Sequence, residues 1–117
     1  MRLKGYIKEI IDGAVAQERD PANGLLRNDV DDETWFGGVS GTAILAATIY
    51  RMAVDAPDKF GPEQRCFTSA EQSKKVVEEC IDEDSLVKPV VNVLKHVSRM
   101  PLENGSREGQ CFAGMVF

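Results

Sequence analysis

Four carboxylates crowd one short stretch, Asp29, Asp31, Asp32 and Glu33, and the chain's single tryptophan, Trp35, follows at once with Phe36 beside it. Acids next to an aromatic platform are the ingredients of a sugar site, where a glycosidase holds two carboxylates about 5–9.5 Å apart across the scissile bond. A loop sequence does not set that separation. Three readings therefore stand: a catalytic pair, a binding rim, or solvated acids around a buried Trp anchor, the last being the one these residue types alone support. The next run, Gly37-Gly38-Val39-Ser40-Gly41, places bare amides and a hydroxyl at a helix start, which attracts anions. It lacks the Lys-Ser/Thr of a P-loop and the order of a dinucleotide fingerprint, so close helix packing is the expected use of its glycines.

His96 has neither a Ser nor an acid at a recognised catalytic spacing and reads as a histidine at the edge of a core. Glu108 and Gln110 open the last helical pattern, where they either stabilise its amino end or face a ligand. Cys66, Cys80 and Cys111 are too widely spaced for a zinc motif, and an odd number cannot all pair, so free buried thiols are expected. Asp82-Glu83-Asp84-Ser85 offers oxygens for calcium, but no Gly at the sixth position and no Glu at the twelfth completes an EF-hand loop. No metal and no cofactor is expected.

The composition narrows the partners. Lys plus Arg is 14 and Asp plus Glu is 19, so 14 − 19 = −5 with His neutral. That balance, with no basic stripe, excludes a chain whose business is neutralising a phosphate backbone or adhering to an anionic membrane. The apolar stretch Gly41 to Tyr50 is too short to span a bilayer. The start of the chain breaks any signal-peptide core with Lys8, Glu9 and Asp12, which points to the cytoplasm unless the natural N-terminus lies upstream. With 43% hydrophobic and 28% charged residues, the chain has the make-up of one folded domain spanning residues 1–117.

The elements that must position these side chains read as helices. Leu3, Ile7, Ile10, Ile11, Ala14 and Val15 recur three and four apart and predict a first helix over 3–17. Asp20-Pro21 ends that stretch, and Asn23-Gly24 reads as a tight turn. Residues 42–54 form a second helix, apolar nearly all round and expected to be the most buried, with Ser40 as its N-cap. A third runs over 62–81 with Pro62 at its first position, or starts near 70 behind a Ser69/Gln72 capping box. A short helix follows Pro89 over 90–98. Ser106 caps a last one, which carries its apolar residues through Phe117 without an end signal; this, with two long loops, suggests a segment of a larger helical domain.

The motifs taken together carry a resemblance. Asp20-Pro21-Ala22-Asn23-Gly24-Leu25-Leu26, then Asp31-Asp32, Trp35-Phe36 and Ser40-Gly41-Thr42-Ala43 running on to Ala53, resemble the late part of the glycoside hydrolases of family 105, the unsaturated rhamnogalacturonyl or glucuronyl hydrolases. Pro89-Val90-Val91-Asn92 and Ser106-Arg107-Glu108-Gly109-Gln110-Cys111-Phe112 are similar to its fungal-type members, with Arg107 standing where the family has Pro. The similarity covers roughly residues 6 to 117.

The resemblance implies an all-α fold of four to five helices, the C-terminal portion of an (α/α)6 barrel of the six-hairpin glycosidase type. It implies a reaction in which an Asp protonates the 4,5 double bond of an unsaturated uronic acid at the non-reducing end of a pectin-derived oligosaccharide, water adds, and the sugar is released. No Arg-Gly-Asn-Gly element occurs here and no catalytic residue carries over. Substrate-binding positions implied by the match are Trp35, Ser40, Thr42 and Glu108, and the partner an unsaturated uronyl oligosaccharide. The other expectation is a non-catalytic helical remnant or interaction module that self-associates through exposed apolar helix faces.

Overall fold

The computed structural model describes residues 2–92, 98–102 and 105–117. Within them the chain is all-α: α1 (Arg2–Val15), α2 (Val39–Asp55), α3 (Pro57–Phe60), α4 (Arg65–Glu79) and α5 (Arg107–Gly114). The described residues contain no sheet, only two isolated antiparallel bridges, Arg27 with Gly37 and Ile81 with Val87. None of the described helices is long and apolar enough to cross a membrane.

α2 is the hub, against which α3, α4 and α5 all pack. Its small residues make this possible: Ala43, Ala46 and Ala47 are buried with Val39, Thr42 and Ile49, and their short side chains let neighbouring helices approach. It starts one turn earlier than the sequence predicts, with Gly38 and not Ser40 at the cap. The reason is tertiary. The Val39 amide, one of the orphan donors of the first turn, is satisfied by the Pro89 carbonyl at 2.8 Å, and the helix starts there.

Pro62 does not open a helix. Pro57 ends α2 but also opens the one-turn α3 at its first position, whereas Pro62 sits in the turn before α4. That helix begins at Arg65, so the expected span 62–81 shortens at both ends, and Ser69 and Gln72 lie inside it and cap nothing. What sets the boundary is Phe60, which is fully buried and drags its own turn into the core.

α1 keeps its predicted period but buries little of the stripe. Ile11 is buried and Ile7 and Val15 pack on the core, while Leu3 and Ile10 face outward at 58% and 72% exposure. α5 starts where expected: the Ser106 hydroxyl accepts from the Gly109 amide at 3.0 Å. It closes at Gly114, three residues before the predicted apolar run ends. Of the helix expected over 90–98, residues 93–97, His96 among them, lie outside the described residues, and 90–92 and Ser98 are not helical.

Close packing explains one glycine of the 37–41 run, and not against a helix. A Cβ at Gly37 would fall 2.5 Å from Asn23 Oδ1 and 2.7 Å from the Leu25 carbonyl, whereas one at Gly41 would meet nothing. The cysteines are all free, but only Cys66 is buried; Cys80 is half-buried and Cys111 exposed, which corrects the expectation of three buried thiols.

Candidate functional site

The segment 20–27 is sewn to the start of α2 by hydrogen bonds. Asp20 Oδ1 accepts from the Ala22 amide at 2.9 Å and closes the turn before Asn23-Gly24, where Gly24 takes the left-handed φ of 74° that glycine tolerates. Its other oxygen, Oδ2, accepts from the Gly37 amide at 2.8 Å, seventeen residues on. Asn23 adds two more ties: its Oδ1 accepts from the Leu25 amide and its Nδ2 donates to the Gly37 carbonyl. The Leu26 amide donates to Thr42 Oγ1 at 2.8 Å, and that hydroxyl donates in turn to the Gly38 carbonyl at 2.7 Å.

On the other side, α5 presses its first turn against the same end of α2. A Cβ on Gly109 would come 2.6 Å from Val90 Cγ1 and 3.1 Å from Ser40 Oγ, so only a glycine lets the two helix starts meet. Between them lies a cleft of about 370 Å³. Its floor is apolar, from Leu26, Val91 and Phe112, the buried Arg27 lines it from inside, and Asn28, Ser40 and Glu108 supply its other polar groups. Ser40 and Glu108 thus meet in one place although sixty-eight positions separate them.

Two of the four expected binding residues lie elsewhere. Thr42 is fully buried, its hydroxyl spent on Leu26 and Gly38, and it does not line the cleft. Trp35 is only 4% exposed, with the Arg99 guanidinium 4.6 Å above its ring and Phe36 tilted against it at 6.1 Å. A ring covered in this way offers no free face for a sugar. It serves as an anchor for the loop, the bland reading of the Trp.

Within the acidic stretch, Asp32 is tied to its own loop and to Arg99. Thr34 donates to Asp32 Oδ1 from its hydroxyl at 2.6 Å and from its amide at 2.9 Å, and Arg99 pairs with Asp32 Oδ2 at 3.2 Å. The Thr34 hydrogen bonds, then Arg99, hold the Asp32 carboxyl below its ordinary range, which favours its charged form. Asp82 plays a similar local part, accepting from the Asp84 and Leu86 amides in a turn. Among the described residues no three His, Cys, Asp or Glu side chains gather as a metal would require.

Arg27 and Asn28 were missed at the sequence level. Arg27 is 92% buried, since only 8% of it is exposed, and its Nη1 donates to the Glu18 carbonyl at 3.0 Å. Its Nε has no partner among the described residues. The available signal was faint: an Arg directly after two leucines that follow a turn, which is where a strand-like bridge would turn it inward.

Asp20 gives the site a pH dependence. Hydrogen bonds from Gly37 and Ala22 lower its carboxyl below the ordinary value. A depressed folded-state pKa means stability that is present above the unfolded value of ~3.9 and is lost as pH falls through the folded one. Urea midpoints measured from pH 5 down to pH 2 should fall less steeply in Asp20→Asn than in the wild type. Equal slopes would mean that the Gly37 bond does not depend on charge.

Compared with known proteins, the chain matches no family model, no curated protein sequence and no solved structure.

Proposed function

We propose that these helices form part of an (α/α)6 barrel of the unsaturated-uronyl hydrolase type and that the cleft between the starts of α2 and α5 is one wall of its sugar site. The observation that supports this is the meeting of Ser40 and Glu108 over the apolar floor of Leu26, Val91 and Phe112. A pyranose has an apolar face and a polar edge, and this wall offers a surface for each, with Ser40 and Glu108 as hydrogen-bonding partners for hydroxyls. In this reading the described chain binds and orients sugar and does not protonate the double bond: Asp32 is not among the residues that line the cleft and is tied to Thr34 and Arg99.

Calorimetric titration of the chain with a 4,5-unsaturated uronyl disaccharide tests the reading. Binding should weaken about tenfold, or ~1.4 kcal/mol, in Ser40→Ala and Glu108→Gln. Ultraviolet absorbance of the double bond should persist in the same mixture. Failure of the disaccharide to bind, or equal binding by both variants, would remove the sugar wall; loss of the absorbance would show that a proton donor lies on this chain.

A second reading, a non-catalytic module that associates through its helices, draws on a different face. Ile7, Ile10 and Ile11 of α1 and Ile44 and Leu45 of α2 line an apolar groove, with Leu3 and Tyr6 exposed beside it. Sedimentation over a hundredfold range of concentration would reveal such association, and a constant monomer mass would oppose it.

A further inference from the structure

Away from the cleft, on the outer side of α4, two arginines share one hollow of about 330 Å³. Arg65, Ser69 and Gln72 recur at intervals of four and three, hence on one face of α4, with Thr68 alongside. Arg19 arrives from the loop after α1 and lies over that face: its Nη2 donates to Ser69 Oγ at 3.1 Å and its Nη1 to the Gly24 carbonyl at 3.4 Å.

Neither guanidinium is matched by a carboxylate. The ion pairs among the described residues join Lys8 to Asp12, Arg51 to Asp55, Lys88 to Asp82 and Arg99 to Asp32, and none involves Arg19 or Arg65. Arg19 is partly buried, and burial alone pushes its guanidinium below the ordinary value, with no acid acting in the other direction. A cation withdrawn from water without a counter-charge is costly, and the cost is relieved when an anion arrives.

The surroundings favour the same sign. α4 has no acidic residue in its first turn, and its Gln64 cap makes no side-chain bond. Glu79 shares the adjoining hollow with Lys75 and with Arg19 itself, yet no ion pair among the described residues joins it to Arg19, and it lies fourteen residues along α4 from Arg65, about 21 Å at the helical rise. In a chain of net charge −5, two unmatched arginines on one hollow stand against the general field.

We propose that this hollow binds a phosphate group, with Arg19 and Arg65 as its charge partners and Thr68, Ser69 and Gln72 as neutral donors. Guanidinium groups match the oxygens of a tetrahedral anion in pairs. The Ser69 hydroxyl accepts from Arg19 and keeps its own proton to donate. The site is separate from the sugar wall and does not depend on that reading.

The test is titration of the whole chain at constant ionic strength, followed by amide NMR, with inorganic phosphate in one arm and phenyl phosphate in the other. Saturable shifts centred on Arg19, Ser69 and Gln72 are expected. The arm that binds more tightly identifies the source, free phosphate or a phosphomonoester. Arg65→Gln changes an exposed side chain and should leave the circular dichroism intact while weakening phosphate about tenfold or more; Arg19→Lys, which keeps the charge but not the fork, should also weaken it. No saturation, wild-type affinity in Arg65→Gln, or acetate bound as tightly as phosphate would each overturn the proposal.

Discussion

Phe60→Ala should destabilise the protein by about 3–5 kcal/mol, the largest loss expected of any single truncation here. The ring is fully buried at the end of a helix only one turn long, and such a turn has almost no stability of its own. It is held on both flanks: the Ala56 carbonyl takes the Phe60 amide at 3.1 Å, and Lys8 of α1 places its ammonium 5.5 Å from the ring centre. Removing the ring opens a cavity and also frees α3 to unwind, which loosens the link from α2 to α4. For a domain of typical stability, ~5–15 kcal/mol, this is about a fifth of the total or more. Urea denaturation measures it, with Val54→Ala as the control, since Val54 is 78% exposed and should change little. A loss below about 1 kcal/mol for Phe60→Ala would mean that the ring is not a core anchor.

The same residue shows what was legible in the sequence. Local period alone located α1, α2, α4 and α5 to within a few residues, and the Ser106 cap marked the start of α5 because capping is a contact between residues three apart. Pro57 and Pro62 carry the same helix-start signal, and nothing local distinguishes them. The choice is made by where Phe60 goes, which is a property of the assembled core. The start of α2 at Val39 was invisible for the same reason, since the partner of its first amide is the carbonyl of Pro89, fifty residues away.

The cleft was half legible. Ser40 and Glu108 reach it, whereas Trp35 and Thr42, chosen through the same family resemblance, point into the structure. Residue type cannot separate these cases. A hydroxyl in the first turns of a helix serves a ligand or the backbone equally well, and which it does depends on the direction of its side chain. For Trp35 the deciding partner, Arg99, lies sixty-four positions away and covers the ring that a sugar would need.

Thr42→Val separates the two roles by experiment. Valine keeps the shape and removes the hydroxyl, so the Leu26 amide loses its acceptor in a fully buried place, and the Gly38 carbonyl loses a donor. An amide left unsatisfied in the interior costs about 1–3 kcal/mol. Thr42→Ser retains the hydroxyl and should recover most of that loss, although it gives up a buried methyl group. Leu26 forms part of the cleft floor, so sugar binding would weaken in Thr42→Val only as the loop loosens, and in step with stability. A ligand-facing hydroxyl would give the opposite pattern, with the unfolding midpoint unchanged and affinity lost, as expected for Ser40→Ala. Measuring both quantities on both variants therefore assigns the two hydroxyls: Thr42 holds the loop to α2, and Ser40 is left free to meet what enters the cleft.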